Sequence, residues 1–95
     1  MKTYRPLPRT VTINKSNIEG LGLFAVEDIK ANINLGMIHY YTDNEILRTP
    51  LGGFINHSDK PNCTKITVGN TAYIVTNRHI FVNEELTIKY DLYKV

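Results

Sequence analysis

Apolar and polar positions alternate along several short stretches of this chain. Thr10-Val11-Thr12-Ile13-Asn14 has the two-residue period of a half-buried strand. Gly20 and Gly22 flank Leu21, and Leu23-Phe24-Ala25-Val26 follows as a short apolar strand. Leu35 to Tyr41 carries Met37, Ile38, Tyr40 and Tyr41, which suit a pleated surface. Thr64 to Val68 alternates again, Gly69-Asn70 signals a two-residue hairpin, and Thr71 to Thr76 is the returning strand. Leu86-Thr87-Ile88 is predicted as a last short strand.

The segments between them are polar and rich in turn-formers. Pro6 and Pro8 favour an extended lead-in. Ser16-Asn17, Glu27 to Asn32 and Asn77-Arg78-His79 read as turns, and Asn83-Glu84-Glu85 as a polar connection. Thr42 to Arg48 is predicted to form one helical turn that Pro50 ends. Short strands, frequent turns and no long amphipathic helix predict a mainly β fold.

One stretch breaks this rhythm. Leu51-Gly52-Gly53-Phe54-Ile55 leads into Asn56-His57-Ser58-Asp59-Lys60-Pro61-Asn62-Cys63. Phe54 and Ile55 call for burial, whereas the short polar residues after them bond backbone groups and favour turns. This predicts a loop anchored in the core, with its polar groups aimed at a ligand.

Composition narrows the class. The 95 residues suffice for one domain, taken as 1–95, and 42% hydrophobic with 21% charged describes a soluble globule. A net charge of +2 without a Lys/Arg run gives no case for nucleic acid. Cys63 is the single cysteine, so no disulfide forms within the chain and a cysteine-built zinc site is excluded. His39, His57 and His79 lack ligand-like spacing, and no metal is expected. No apolar run reaches the roughly 20 residues that span a bilayer. No signal region follows Met1 to Pro6. The expectation is an intracellular, soluble protein, cytoplasmic or nuclear, away from membranes.

The central stretch resembles the Asn-His-Ser motif of SET-domain protein-lysine methyltransferases. Gly20-Leu21-Gly22-Leu23-Phe24-Ala25 is similar to that family's Gly-x-Gly segment. Glu84-Glu85-Leu86-Thr87-Ile88-Lys89-Tyr90 is similar to its C-terminal motif. The three occur in the family's order, and the resemblance runs from about Thr10 to the end. It implies a β-clip-like fold of short curled sheets, with the C-terminal segment threaded into a pseudoknot. It also implies methyl transfer from S-adenosyl-L-methionine to a lysine of a protein substrate. Gly20, Leu21, Gly22, Asn56 and His57 would bind the donor. Tyr90 would be catalytic, Tyr40 or Tyr41 would form a wall of the substrate-lysine channel, where aromatic faces attract a methylammonium, and Tyr93 would cover that channel or the adenine.

Each of these residues also has an ordinary role. Glycines make tight turns, Asn-His can form an Asx turn beside a buried imidazole, and strand tyrosines pack. The chain departs from the family in places. Gly53 stands where many members have Arg, Asp59 where many have Cys, and Lys89 where Asp is frequent. The insert before the central motif is cut to about Thr42–Pro50, and the cysteine-rich zinc segment is not part of this sequence. A second subunit, or an exposed flexible substrate tail, is expected to supply what is missing, and the short insert with free strand edges predicts a homodimer or other self-association. Two other classes stay open: a SET-like module that binds donor or peptide without turnover, and an interaction protein that pairs through strand edges.

Overall fold

The computed structural model describes residues 7–89. Eight strands and one short helix follow in the order β1 (Val11–Lys15), β2 (Leu21–Ala25), β3 (Asn34–Tyr41), β4 (Ile46–Arg48), α1 (Pro50–Phe54), β5 (Asn56–His57), β6 (Cys63–Val68), β7 (Thr71–Thr76) and β8 (Glu85–Ile88). They form two four-stranded sheets, ordered β1-β2-β8-β5 and β4-β3-β7-β6. The mainly β expectation holds. Among the described residues, no helix is long and apolar enough to cross a membrane.

The alternating stretches become strands because their apolar positions share one core. Leu23 and Leu86 from the first sheet, Ile38 and Ile74 from the second, and Leu51 of α1 are all fully or almost fully buried. Ile80 joins them from the loop after β7, where a single bridge pairs it with Ile29. Burying a side chain of this size contributes about 1.5–3 kcal/mol, far above any strand propensity term.

Turn chemistry sets the registers. β6 and β7 pair from Cys63↔Thr76 to Val68↔Thr71 across Gly69-Asn70, and Gly69 takes φ +61, a left-handed value open to glycine at little cost. β1 and β2 pair from Val11↔Ala25 to Lys15↔Leu21. Gly20 closes that turn at φ +43, with its carbonyl accepting from Ser16 N at 2.8 Å.

The structure corrects the reading of residues 42–54. Thr42 to Arg48 is not helical. Thr42 N bonds Glu45 O at 2.9 Å, and Ile46 to Arg48 return as β4 along Tyr41 to His39. An isolated helical turn fixes several dihedrals for one hydrogen bond, whereas a strand beside β3 finds partners already ordered. Nor does Pro50 end a helix. It sits in the first turn of α1, whose N-cap is Thr49, with Thr49 Oγ1 accepting from Gly52 N at 3.2 Å. Proline fits there because that N–H has no helical partner. The central stretch thus begins as α1 and the two residues of β5, and only residues 58–62 form a loop, anchored by buried Ile55, Asn62 and Cys63.

β8 has an unusual place for the last strand. It lies between β2, antiparallel, and β5, parallel, with Asn56↔Thr87 and His57↔Ile88 in register. The three segments quoted from the sequence therefore meet in one sheet. The threading expected of the final residues lies outside the described part.

Candidate functional site: an amide, a hydroxyl and a carboxylate on three strands

Asn56 is the first residue of β5, directly after buried Ile55. Its Nδ2 donates towards Glu85 Oε2 at 2.9 Å, Ser16 Oγ at 3.1 Å, Glu19 O at 3.1 Å and Leu21 O at 3.2 Å. An amide nitrogen has two hydrogens, so four acceptors more than saturate it. Rotated by half a turn, the amide would set its own oxygen against four oxygens. The nitrogen therefore faces inward. Among the described residues, Asn56 Oδ1 accepts no hydrogen bond.

Ser16 ends the β1 side of the turn and works in both directions. Its Oγ donates to the Glu85 carboxylate, 2.8 Å from each oxygen, and accepts from Ile18 N at 2.9 Å and Glu19 N at 3.3 Å. Those two acceptances tie down the Ile18-Glu19-Gly20 turn, of which the Glu19 carbonyl faces Asn56. Glu85 opens β8 and is half-buried.

Gly22 completes the arrangement. It is buried in β2, and a Cβ there would collide with the Glu85 carboxylate and come within 3.1 Å of Asn56 Nδ2. The bare α-carbon makes room for the carboxylate of this same chain. Gly20 has open space and serves the turn through its φ. Leu21 contributes its carbonyl, while its side chain is exposed.

His57 follows in β5, with Nε2 3.2 Å from Asp59 Oδ1. Ser58 N donates to Ile88 O at 3.0 Å, so β8 carries the chain to Lys89 alongside this pair. Tyr90 and Tyr93 lie outside the described residues. Tyr40 and Tyr41 belong to β3 in the other sheet. Tyr40 is exposed opposite Leu47, and Tyr41 packs against the core with its hydroxyl 3.5 Å from His39 Nδ1. Burial lowers the His39 pKa, and the charges of Lys65 and Arg48 lower it further. Cys63 is buried in β6, and its thiol is pushed up to about 12 by burial, with Arg78 acting the other way.

Sequence reasoning missed Ser16 and Glu85 as site residues. Glu85 stood in a quoted motif but read as part of a turn. Its one signal was the alternation Glu85-Leu86-Thr87-Ile88, which can start a strand one residue earlier. Ser16 read as a turn-former, which it also is.

The model of the SET domain family matches residues 33–91, more than half of the chain. The chain belongs to the SET-domain family. This SET domain is similar to the crystal structure of a candidate histone methyltransferase of Plasmodium falciparum, with 25% identity and a TM-score of 0.72 over 90% of this chain and 96% of that one. It is also similar to the methyltransferase domain of human PR domain-containing protein 2. There the TM-score is 0.73 over 94% of this chain and 82% of that one, at 17% identity, a likeness that bears on fold alone. No curated protein is found to match the sequence. The family match spans Asn56, His57 and Glu85, whereas Ser16 and Gly22 precede it.

Proposed function

We propose that this SET domain transfers a methyl group from S-adenosyl-L-methionine to the side-chain amine of a lysine in a protein substrate. Family membership and the likeness to methyltransferases support the transfer class. The observation that carries the donor assignment is the anchored amide of Asn56. Its nitrogen is held by four oxygens and its carbonyl oxygen is left to accept. A free acceptor beside two main-chain carbonyls and a carboxylate suits the ammonium group of an amino acid, and the donor carries one.

When bound, the donor supplies a methyl group on a sulfonium, already a good leaving group. The chain's own residues have other tasks. Asn56, with the carbonyls of Glu19 and Leu21, would hold the ammonium end. Gly20 shapes the turn that presents those carbonyls. His57, paired with Ile88 across the β5–β8 ladder, would fix the second side of the donor site. Tyr90, just beyond β8, would set its hydroxyl near the transferring group, as the C-terminal motif implies. Alignment and preorganised dipoles account for large rate factors when no covalent step is needed.

The test is incubation of the protein with methyl-labelled S-adenosyl-L-methionine and a protein extract, followed by mass spectrometry of lysines. Labelled lysines that disappear with Tyr90→Phe support the reading. Donor binding without label on any lysine would leave a binding module, and no donor binding would remove the donor site as well. Asn56→Ala should weaken donor binding by about 1–3 kcal/mol in calorimetry, the cost of an unpaired buried partner.

A further inference from the structure

Asn56 can serve the donor only if its amide keeps one of two orientations, and the structure contains the group that decides between them. Of the four oxygens around Nδ2, two are main-chain carbonyls, one is a hydroxyl that can turn, and one carries negative charge. The charged one, Glu85 Oε2, makes the shortest contact at 2.9 Å. It also discriminates most strongly between a donor and an acceptor facing it, because hydrogen bonds to ionised groups are about twice as strong as neutral ones. The carboxylate is held in turn: Ser16 Oγ sits 2.8 Å from both its oxygens, and the bare α-carbon of Gly22 gives it space. Asn56, Ser16 and Glu85 come from β5, the turn just after β1 and the start of β8, so they meet only in the folded sheet. The ladders of that sheet are themselves made by backbone.

We propose that Glu85 is a positioning residue of the donor site: its carboxylate, braced by Ser16, locks the Asn56 amide with the carbonyl oxygen turned towards the donor's ammonium group. This rests on the donor reading above. Glu85 acts through Asn56. The lock should affect recognition of the amino group and leave the remainder of the donor site alone.

That separation gives the test. The whole chain is titrated by calorimetry with S-adenosyl-L-methionine and with its analogue lacking the α-amino group. Wild type should prefer the amino compound by at least about tenfold, the scale of one hydrogen bond to a charged group. Glu85→Ala should lose most of that preference, with affinity for the amino-free analogue close to wild type. Glu85→Gln, which keeps an oxygen for Nδ2, should retain part of it, and Ser16→Ala should fall between. Ser16→Ala and Glu85→Gln carry the test if Glu85→Ala does not fold. Folded variants that keep the full wild-type preference would overturn the positioning role while leaving the donor site intact. A wild-type chain that binds neither compound would instead overturn the donor reading, and this inference with it. Equal weakening of both compounds would make Glu85 a structural residue only.

Discussion

Asn62 is bonded to the β8 backbone as if it were another strand. Its Oδ1 accepts from Thr87 N at 2.9 Å and its Nδ2 donates to Glu85 O at 2.8 Å. Asn62 and Thr87 are both buried, so water cannot replace these bonds. The side chain thus fixes the register of the strand that carries Glu85 and leads to Tyr90. Asn62→Ala takes the partner from the buried Thr87 N–H and from the part-buried Glu85 C=O, at about 1–3 kcal/mol each at most. We expect a loss of about 2–4 kcal/mol in urea unfolding, and a similar loss for Asn62→Asp, which cannot donate to Glu85 O. A variant within about 0.5 kcal/mol of wild type would mean that the β5 and β2 ladders alone hold β8.

Adjacent glycines in α1 should respond in opposite senses to one methyl group. A Cβ on Gly52 would collide with the main-chain carbonyl of Ile38, and backbone cannot step aside as a side-chain end can. A Cβ on Gly53 would meet nothing within 4 Å. Gly52→Ala should cost about 1–3 kcal/mol through overpacking. Gly53→Ala should be neutral or stabilising by up to about 1 kcal/mol, through helix propensity and a less flexible unfolded chain. Thermal unfolding of the two variants decides the matter. Equal effects would show that α1 shifts freely on β3.

The same two glycines indicate what could be read from the chain in advance. They stood out as breakers, yet one is exposed in a helix and the other is pressed on a neighbouring strand, a difference that only tertiary packing creates. The β6–β7 hairpin was legible because its signals are local: alternation on both sides of Gly69-Asn70. β4 and α1 were not, because Pro50 can stop a helix or start one, and the choice turns on the Thr49 cap and on β3 offering an edge. Of the candidate site, Asn56 and Gly22 were legible through motifs. Glu85 and Ser16 were not, because their bond spans 69 positions and exists only when β8 lies beside β2. Asn62 looked like one more turn residue, since an Asx turn and a side chain posing as a strand have the same local sequence.

Acid should weaken the loop before β8 in a predictable direction. Arg78 bonds Glu84 through two nitrogens, at 3.1 and 2.8 Å. That hydrogen bonding is the largest cause holding the Glu84 carboxyl below its ordinary 4.5; burial opposes it, and the Phe81 N–H and the charge of Arg78 add to it. A carboxyl with a lowered folded pKa adds stability above its unfolded value, and that contribution fades as pH falls through the folded value. The window therefore opens near pH 4.5 and extends below. The pair is well exposed, so the amount should stay within about 1 kcal/mol. Unfolding of wild type and Arg78→Ala should differ near neutral pH and converge progressively as pH falls below 4.5. A gap that stays constant would show that Arg78 acts through packing alone.

If the chain transfers methyl to lysine as proposed, the rate should rise with pH. Only a neutral amine can attack, and a free lysine with pKa about 10.4 is about 99.6% protonated near pH 8. Starting from the minor form adds about 3 kcal/mol to the barrier, unless a base removes the proton or burial lowers the lysine's pKa. Of the acidic side chains near this site, Glu85 is already bonded to Ser16 and Asn56, Asp59 lies against His57, and Glu84 is committed to Arg78. Each already has a partner. Turnover should therefore rise about tenfold per pH unit from near 7 and level off only as pH approaches the pKa of the bound lysine, about 10.4 if it is unshifted. On the proposed reading of the C-terminal motif, Tyr90→Phe should lower turnover about tenfold or more at every pH, since it would remove an aligning hydroxyl rather than a proton acceptor. Its donor affinity should change much less. Initial rates across this range, with donor and substrate saturating, are the measurement. A bell-shaped profile centred near neutrality would reveal a titrating base, and full turnover in folded Tyr90→Phe would return Tyr90 to the role of a packing tyrosine.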